Sequence, residues 1–497
     1  MTPERRDAIS SRDVSIPDVT STGTAISQDA LHALLHAAGG ERHVYTDTSS
    51  KLFYIQEKLK FSSHSSEAIG AVAAFPQAVV TPLSHTQVVA ILRACEAHNL
   101  AVITAGAGAM LAADLALLRT NFIIIDFRLM NALTELDVIS RTATLQPGLS
   151  ALAAEALLNA DGYTLGAFAA LHQHATLGGI AATRLNPQLP VGRRSSDELI
   201  IGLTLATAEG TLQVHEGRHG GSAPGLQEII IGSEGALGVI TSVTFRIQPV
   251  PQQHVYEEWR FSSFTEGIEA LRRCAQNELR PDFMRLFDET ATWSRRDVSS
   301  REFHIPRSVH CLAVVGYEGK EQDVAVRRRT TTSLMRSNGA TRLGEVSESR
   351  YGTSGLLPYL SNPMPNTSAS EILEATAFWS NIPDLSQLVR IAIERTLTAI
   401  GVTGLVTCDL SGASENGASL SFAVVNHHDP EPIRHWAPIR NAAYEAILLA
   451  GGSITRNHRL GKDHCNWFER ENGRLAIEIF KAIKLRLDPH SRLNPAF

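Results

Sequence analysis

Three short segments of this sequence combine small side chains with hydroxyl groups, a composition that lets the backbone approach a phosphate closely. They are residues 104–110 (TAGAGAM), 175–183 (ATLGGIAAT) and 232–241 (GSEGALGVIT). Backbone N–H groups that no bulky side chain shields can contact a pyrophosphate, and the hydroxyls of Thr176 and Thr183 are spaced to hydrogen-bond a ligand. Three such segments in one region indicate a single extended ligand.

Each segment also has a simpler interpretation. Residues 104–110 do not match the G-x-G-x-x-G dinucleotide fingerprint, because Leu111 stands where the last glycine belongs, so an ordinary tight turn is the alternative there. The small residues of the second segment could serve only close packing. The occurrence of all three segments together favours the ligand.

Strands and helices alternate around these segments. Residues 78–105 read as a strand, a helix capped by Ser84 and a second strand, and FIIIDF is typical of a strand buried on both faces. A strand, a turn and an Ala/Leu helix that ends near Gly162 come next, and then two strands flank the turn at Glu209 and Gly210. The sequence predicts one α/β region that holds all three segments.

Two boundaries divide the chain into four predicted parts. The run from Pro249 to Pro251 cannot continue an internal strand and predicts the end of a domain. Beyond it, strands such as HCLAVVGYEG alternate with helices such as IPDLSQLVRIAIERTLTAI, which predicts a second α+β domain. The predicted parts are an N-terminal lead and helical segment (1–77), the first domain (78–251), a second domain (252–450) and a C-terminal segment (451–497).

The two ends of the chain have distinct patterns. The stretch to about residue 26 is rich in Ser, Thr and Asp and predicts a disordered lead, after which Ser27 caps a helix that Gly39 stops. Near the other end, Asp488 and the proline after it terminate a helix and begin a tail.

Composition excludes several classes of protein. The 497 residues carry a formal net charge of −6 and are 43% hydrophobic, so charge indicates neither a nucleic-acid groove nor a membrane surface. An enzyme with a small-molecule substrate or a protein-binding module remains. The basic run at 327–329 is typical of a solvated helix face. The five cysteines are scattered without a C-x-x-C pair, and adjacent His427 and His428 would point to opposite faces of a strand, so no disulfide framework and no metal are expected.

No secretory signal, membrane span or C-terminal S-K-L address is recognisable in the sequence. We therefore expect a cytoplasmic protein, and a homodimer is possible.

The three segments, in this order, resemble the vanillyl-alcohol oxidase family of flavoproteins, whose FAD-binding domain is called PCMH-type. SEGALGVIT, preceded by ATLGG and the AGAGA loop, carries the resemblance. Within that family, RLMNALTELD, RTATLQPGLS, PDFMRLFDET, LEATAFW and GGSITRNHRLGKDH resemble alkyldihydroxyacetonephosphate synthase and its bacterial FAD-binding oxidoreductase relatives. The implied fold is α+β: a two-subdomain PCMH-type FAD-binding domain, then an α+β substrate (cap) domain. A C-terminal segment would return to the FAD domain and supply the active-site histidine.

The resemblance also implies the cofactor and the residues that hold it. FAD would be bound without a covalent link, although His172 and His174 lie near the predicted flavin wall. The implied FAD-binding residues are Thr104, Ala105, Gly106, Ala107, Gly108, Ala109, Met110, Ala175, Thr176, Gly178, Gly179, Thr183, Arg184, Glu234, Gly235, Leu237, Gly238, Val239 and Ile240. Family members usually have glycines followed by Thr and Ser in the first loop, so Ala107, Ala109 and Met110 predict weaker FAD binding.

By the same resemblance, Arg285 in the R-L-x-D phrase would anchor an anionic group, and His458 would act as the catalytic base. The synthase has two further histidines before the equivalent of His458, where this chain has Arg456 and Asn457. Its second arginine aligns with Ser361.

The synthase's catalytic tyrosine aligns with Ser421. A serine is poorly suited to the phosphate binding of the arginine and to the proton transfer of the tyrosine. The leading hypothesis is therefore an FAD-dependent oxidoreductase that acts on a small, anionic, hydroxylated substrate. The alternatives are alkyl transfer to dihydroxyacetone phosphate in ether-lipid synthesis and a catalytically degenerate fold that serves as a binding module.

Overall fold

The computed structural model describes most of the chain from residue 26 onward. The described residues are 26–51, 76–107, 121–166, 175–184, 199–215, 225–278, 280–296, 309–346, 368–426, 432–454 and 462–495. None of the helices in these ranges is both long and apolar enough to cross a membrane.

The described strands form four sheets and the described helices cover them. The strands are β1 (Val44–Tyr45), β2 (Ala78–Val80), β3 (Ala101–Ala105), β4 (Phe122–Asp126), β5 (Leu133–Asp137), β6 (Thr142–Leu145), β7 (Tyr163–Thr164), β8 (Ile200–Thr207), β9 (Gly210–His215), β10 (Val239–Arg246), β11 (Gln248–Pro249), β12 (Gln253–Phe261), β13 (Phe283–Phe287), β14 (Cys311–Gly319), β15 (Thr341–Val346), β16 (Ser368–Phe378), β17 (Leu405–Ser411) and β18 (Gly417–Asn426). The α-helices are α1 (Gln28–Ala38), α2 (His85–Ala97), α3 (Ala151–Ala160), α4 (Leu177–Thr183), α5 (Gln227–Ile230), α6 (Phe264–Ala275), α7 (Glu289–Arg296), α8 (Glu321–Ser337), α9 (Ile382–Ala399), α10 (Pro432–Leu449), α11 (Lys462–Asn472) and α12 (Arg474–Leu487).

The first sheet is mostly parallel and carries α1 and α2 against it. Its strand order is β1-β2-β4-β3, and β4 pairs in parallel with both β2 and β3. As predicted, Ser27 caps α1 by accepting a hydrogen bond from the N–H of Ala30, and Gly39 ends the helix at φ 82°. All five residues of β4 are buried, which confirms the strand predicted from FIIIDF.

The second sheet is antiparallel, with the order β5-β6-β10-β8-β9. Apolar side chains of α3 and α4 pack on one of its faces, where Leu145, Leu203 and Phe245 are buried. The two-stranded sheet of β7 and β11 lies next to it in sequence, and Pro249 pairs with Tyr163 there. In the five-stranded sheet, β8 pairs with β9, which confirms the predicted hairpin around Glu209 and Gly210.

The largest sheet follows residue 252. It is antiparallel in each described pairing and has the order β15-β12-β14-β13-β17-β18-β16. Helices α6, α8, α9 and α10 contribute to one core with alternate residues of its strands, such as Leu286 on β13 and Leu410 on β17. Because side chains alternate along a strand, the residues between these apolar ones lie on the opposite face.

The basic run at 327–329 differs from its prediction as a solvated face. Arg327 forms an ion pair with Asp282 (2.6 Å), and Arg328 forms one with the fully buried Glu257 (2.5 Å). These acidic partners come from the loop before β13 and from β12, which only tertiary packing brings near, while Arg329 is exposed as predicted.

Candidate functional site

The first two small-residue segments meet at Gly106. This residue directly follows β3, and a Cβ added to it would clash with the Oγ1 of Thr176. The loop after β3 and the start of α4 can therefore approach this closely only because residue 106 has no side chain.

The threonine hydroxyls of the second segment stabilise α4. Thr176 caps the helix, since its Oγ1 accepts a hydrogen bond from the N–H of Gly179 at 3.3 Å. The hydroxyl of Thr183 donates to the carbonyl oxygen of Gly179 at 2.8 Å. The sequence predicted both hydroxyls as ligand contacts, but local capping and back-bonding to the helix already use them.

Gly178 shows that the small residues of the second segment also serve close packing. Its N–H donates to the carbonyl oxygen of Pro147 at 2.9 Å, and an added Cβ would lie 2.5 Å from the Cβ of Pro147. The predicted turn at Pro147 and Gly148 thus fixes the start of α4. Close packing therefore requires a glycine at this position, and the role of Gly178 in FAD binding stays a prediction.

The third segment bends sharply around residues 232–238. Positive φ values occur at Gly232 (87°), Glu234 (51°), Gly235 (79°) and Gly238 (157°). The N–H of Glu234 donates to the carbonyl oxygen of Ala182 at 2.8 Å, which joins this loop to the end of α4. The bend places four left-handed residues beside the first two segments.

We call the segments 104–110, 175–183 and 232–241 loops one, two and three, and loops one and three also meet. A Cβ on Gly235 would lie 3.3 Å from the Oγ1 of Thr104, the residue two positions before Gly106. The structure therefore brings together the described parts of all three segments, as the idea of one extended ligand requires.

Several other described residues of the predicted FAD set have side chains that pack within the protein. The side chains of Leu237, Val239 and Ile240 are buried in the protein, and Gly238 packs against Leu205. Arg184 ends α4 at φ 48° and its Nη2 donates to the carbonyl oxygen of Glu228 at 2.7 Å.

The resemblance implied that the C-terminal segment returns to the FAD domain, but not that its residues 484–494, which we call the C-terminal tail, hold loop three. The side-chain amide of Asn494 donates to the carbonyl oxygen of Glu234 at 2.9 Å. The Nζ of Lys484 donates to the carbonyl oxygens of Ala236 (3.1 Å) and Leu493 (2.8 Å). A signal was present, because Lys484 and Asp488 are an i,i+4 pair of opposite charge, but the sequence does not show that the pair is buried.

Arg285 lies on the largest sheet, on the face away from the helices. Its guanidinium is buried and donates to one oxygen of Asp409 through Nε (2.9 Å) and Nη2 (2.7 Å). The carbon Cζ also lies 5.1 Å from the ring centre of Phe287. A buried arginine held by a carboxylate and an aromatic ring has a fixed position from which to contact another polar group.

A polar row crosses this face beside Arg285. Glu374 on β16 is directly opposite Ser421 on β18, and Ser421 is opposite Asp409 on β17. The hydroxyl of Ser421 donates to the Oε1 of Glu374 at 3.4 Å. We call Arg285, Asp409, Ser421 and Glu374 the cap-face cluster. Asp409 and Glu374 were missed by sequence reasoning, although each is an acid within an apolar strand pattern.

The last residue of the R-L-x-D phrase has a structural role. Asp288 accepts hydrogen bonds from the N–H groups of Ala291 (2.6 Å) and Cys408 (2.9 Å), and it forms an ion pair with Arg390. Burial raises the pKa of Asp288 to about 6, while Arg390 and the backbone donors act in the opposite direction. The phrase thus combines an arginine on the face away from the helices with an acid that joins β13 and β17 to α7 and α9.

Several predicted residues lie outside the described residues. They are Gly108, Ala109, Met110, His172, His174, Ser361, His427, His428, Arg456, Asn457 and His458, together with the N-terminal lead. Their assigned roles stay predictions.

Two family models match the chain. The model described as "FAD binding domain" matches residues 76–215, and the model described as "FAD linked oxidases, C-terminal domain" matches residues 250–496. The first match includes loop one and α4, and the second includes the cap-face cluster and the C-terminal tail.

Several known proteins are similar to this chain along most of its length. Alkyldihydroxyacetonephosphate synthase of Dictyostelium discoideum is 25% identical over 86% of this chain and 74% of its own length. Mitochondrial D-lactate dehydrogenase (cytochrome) of Arabidopsis thaliana is 22% identical over 99% of this chain and 85% of its own. A solved structure of alkyldihydroxyacetonephosphate synthase superposes with a TM-score of 0.77 at 21% identity, covering 96% of this chain and 87% of that one.

The described loops fit the cofactor that these matches name. Gly106 and Gly235 leave backbone where a side chain would meet Thr176 or Thr104, so loops one, two and three form a surface of small residues. Such a surface allows the close backbone approach that a pyrophosphate needs.

Proposed function

We propose that this chain, which belongs to the FAD linked oxidases, oxidises a small, hydroxylated and anionic substrate. FAD is its cofactor, and the fold is the PCMH-type FAD-binding fold followed by an α+β domain. When bound, FAD would supply the hydride acceptor for oxidation of the substrate carbon. The chain must bind the substrate and accept its hydroxyl proton.

The position of Arg285 is the observation that carries this proposal. The contact with Asp409 holds the buried guanidinium through Nε and Nη2 and so fixes the plane of the group. Arginine matches the geometry of a carboxylate or phosphate, and in a buried position such charge-assisted hydrogen bonds are strong. Arg285 would hold the anionic group of the substrate, and Asp409 would keep the guanidinium in place.

His458 completes the proposed chemistry as the base. As hydride leaves the substrate carbon, the proton of the attached hydroxyl passes to the imidazole of His458, and the C–O bond becomes a carbonyl. Histidine suits this step because its ordinary pKa lies near neutral pH. The name of the Arabidopsis relative, D-lactate dehydrogenase, supports a 2-hydroxy acid as the first substrate class to test.

Visible absorption spectroscopy tests the proposal in two stages. First, the purified protein is mixed with FAD, freed of excess, and its spectrum recorded; retained flavin bands are expected. Second, 2-hydroxy acids are added without oxygen, and bleaching of the bands by one of them is expected. Colourless folded protein would instead support the binding-module alternative. Retained flavin that no hydroxylated anion bleaches would contradict the proposed oxidation.

Alkyl transfer is the second candidate, because a relative with similarity along most of the chain is alkyldihydroxyacetonephosphate synthase. Ser421 argues against it, since this serine aligns with the synthase's tyrosine and its hydroxyl contacts Glu374. The transfer has no net redox change. An exchange that depends on dihydroxyacetone phosphate, with flavin bands unchanged during turnover, would favour the second candidate.

A further inference from the structure

The C-terminal tail lies between the two elements that carry loops one and three. The N–H of Val102 on β3 donates to the carbonyl oxygen of Arg492 at 2.7 Å, and the N–H of Asn494 donates back to the carbonyl oxygen of Val102 at 3.0 Å. Loop one starts two residues after Val102. On its other side, the tail contacts loop three through Lys484 and Asn494.

The tail is itself rigidly held. Asp488 accepts hydrogen bonds from the N–H groups of Arg492 and Leu493, both at 2.8 Å, and from the Nζ of Lys484 at 2.7 Å. Lys484 and Asp488 are both buried. A buried lysine is costly unless its donors are satisfied, and here one carboxylate and two carbonyl oxygens satisfy them.

The contacts of the tail with loop three fix two peptide planes. In a trans peptide, the C=O of one residue and the N–H of the next point in opposite directions. Asn494 holds the carbonyl of Glu234, so the N–H of Gly235 is directed away from the tail. Lys484 holds the carbonyl of Ala236, so the N–H of Leu237 is directed away from it too. Both N–H groups belong to residues predicted to bind FAD.

We propose that Lys484 and Asn494 are cofactor-positioning residues, which orient the Gly235 and Leu237 amides toward FAD and fix the spacing of loops one and three. The positive charge on Lys484 also polarises the Ala236–Leu237 peptide and makes its N–H a better donor to a phosphate. This inference depends on the assignment of loop three to the FAD site.

Three variants of the full chain test the inference by titration of apoprotein with FAD, followed by flavin fluorescence. Lys484→Met keeps the length of the side chain but removes its donors. Asn494→Asp keeps the shape and tolerates φ 41°, but replaces the donor by a carboxylate. Lys481→Met is the matched control, because Lys481 is exposed on the same helix.

We expect Lys484→Met and Asn494→Asp each to raise the Kd for FAD at least tenfold, and Lys481→Met to leave it within twofold. Urea unfolding of the apoproteins measures separately how much each substitution lowers the free energy of unfolding. If either variant is less stable as apoprotein but binds FAD as tightly as the unchanged chain, the tail is only a structural brace and the inference is wrong. If Lys484→Met does not fold, Asn494→Asp alone decides. Failure of the unchanged chain to bind FAD would refute the cofactor assignment itself.

Discussion

The hydroxyl of Thr176 has two roles, and a single substitution at residue 106 would disturb both. It caps α4 through the N–H of Gly179, and it fills the space next to the α-carbon of Gly106. A side chain at residue 106 must displace this hydroxyl, and with it the cap, since the oxygen is not at the end of a long flexible chain.

We therefore expect Gly106→Ala to lower the free energy of unfolding by about 1–3 kcal/mol, from overpacking and loss of the cap. It should also weaken FAD binding, because loops one and two must move apart. Urea unfolding and fluorescence titration measure the two effects. Gly225→Ala is the control, because an added Cβ meets nothing within 4 Å there. If the two variants had the same free energy of unfolding and the same Kd for FAD, the contact with Thr176 would not matter for either property.

A substitution of Arg285 tests whether this residue binds the substrate, provided that the variant still folds and binds FAD. Replacing it alone would leave Asp409 without this partner in a buried position, so the double variant Arg285→Met with Asp409→Asn is preferable. With a substrate from the spectroscopic screen, we expect kcat/KM to fall at least a hundredfold, largely through KM, while the Kd for FAD is unchanged. Arg260→Met, at an exposed position of the same sheet, should have no effect. An unchanged KM in the double variant would argue against the anchor.

At the scale of secondary structure, Asp288 is the point where four elements join. It follows β13, caps α7 through Ala291, contacts β17 through Cys408 and pairs with Arg390 of α9. The sequence displayed Asp288 only as part of the R-L-x-D phrase, next to a residue with a proposed role in binding.

We expect Asp288→Ala to lower the free energy of unfolding by about 3–5 kcal/mol, because it leaves the charge of Arg390 without its buried partner. Glu394→Ala removes only an exposed contact of Arg390 at 4.0 Å and should cost no more than about 1 kcal/mol. Denaturant unfolding followed by circular dichroism compares the two. A cost for Asp288→Ala as small as that for Glu394→Ala would contradict the role as a junction.

His85 connects the first residue of α2 to the second sheet. The hydroxyl of Thr241 donates to the carbonyl oxygen of Thr204, so the Nδ1 of His85 must donate to Thr241 at 2.8 Å. In neutral histidine, Nε2 then accepts from Thr211 at 2.6 Å. Burial lowers the pKa of His85 below 6.5, so the folded state favours the neutral ring.

The sign of the resulting pH effect follows from proton binding. As the pH falls below 6.5, the unfolded chain takes up a proton at His85 before the folded chain does, so stability is lost toward acid pH. His85→Gln removes this contribution. Thermal unfolding between pH 8 and pH 5 should therefore show a shallower decrease of Tm for the variant than for the unchanged chain. Parallel curves would mean that His85 titrates alike in both states.

Local sequence signals were sufficient to predict several helices and strands and their ends. The Ser27 and Ser84 caps, the stop at Gly39, the buried FIIIDF strand and the α12 helix ending before Asp488 are all as predicted, because each depends on residues close in sequence. The solvated face predicted at 327–329 holds for the exposed Arg329 but not for Arg327 and Arg328, whose acidic partners are far away in the chain.

At the scale of the whole molecule, the sequence revealed the three loops but not what holds them. The small residues of each loop could be recognised because backbone approach requires them at particular positions. The contacts of Asp409 with Arg285 and of Lys484 with Ala236 span separations of 124 and 248 residues, and no local pattern encodes such a pair. The family resemblance supplied Arg285, but the partner of Arg285 had to come from the fold.

The length of chain between loop three and its tail contacts has a consequence for biosynthesis. Ala236 leaves the ribosome 248 residues before Lys484 does, a delay on the order of tens of seconds at ordinary elongation rates. During that time the nascent FAD-binding domain has its strands and loops but lacks the segment that joins β3 to loop three. High-affinity capture of FAD should thus wait until Lys484 has been synthesised, and fragments released before that point should leave the ribosome without flavin.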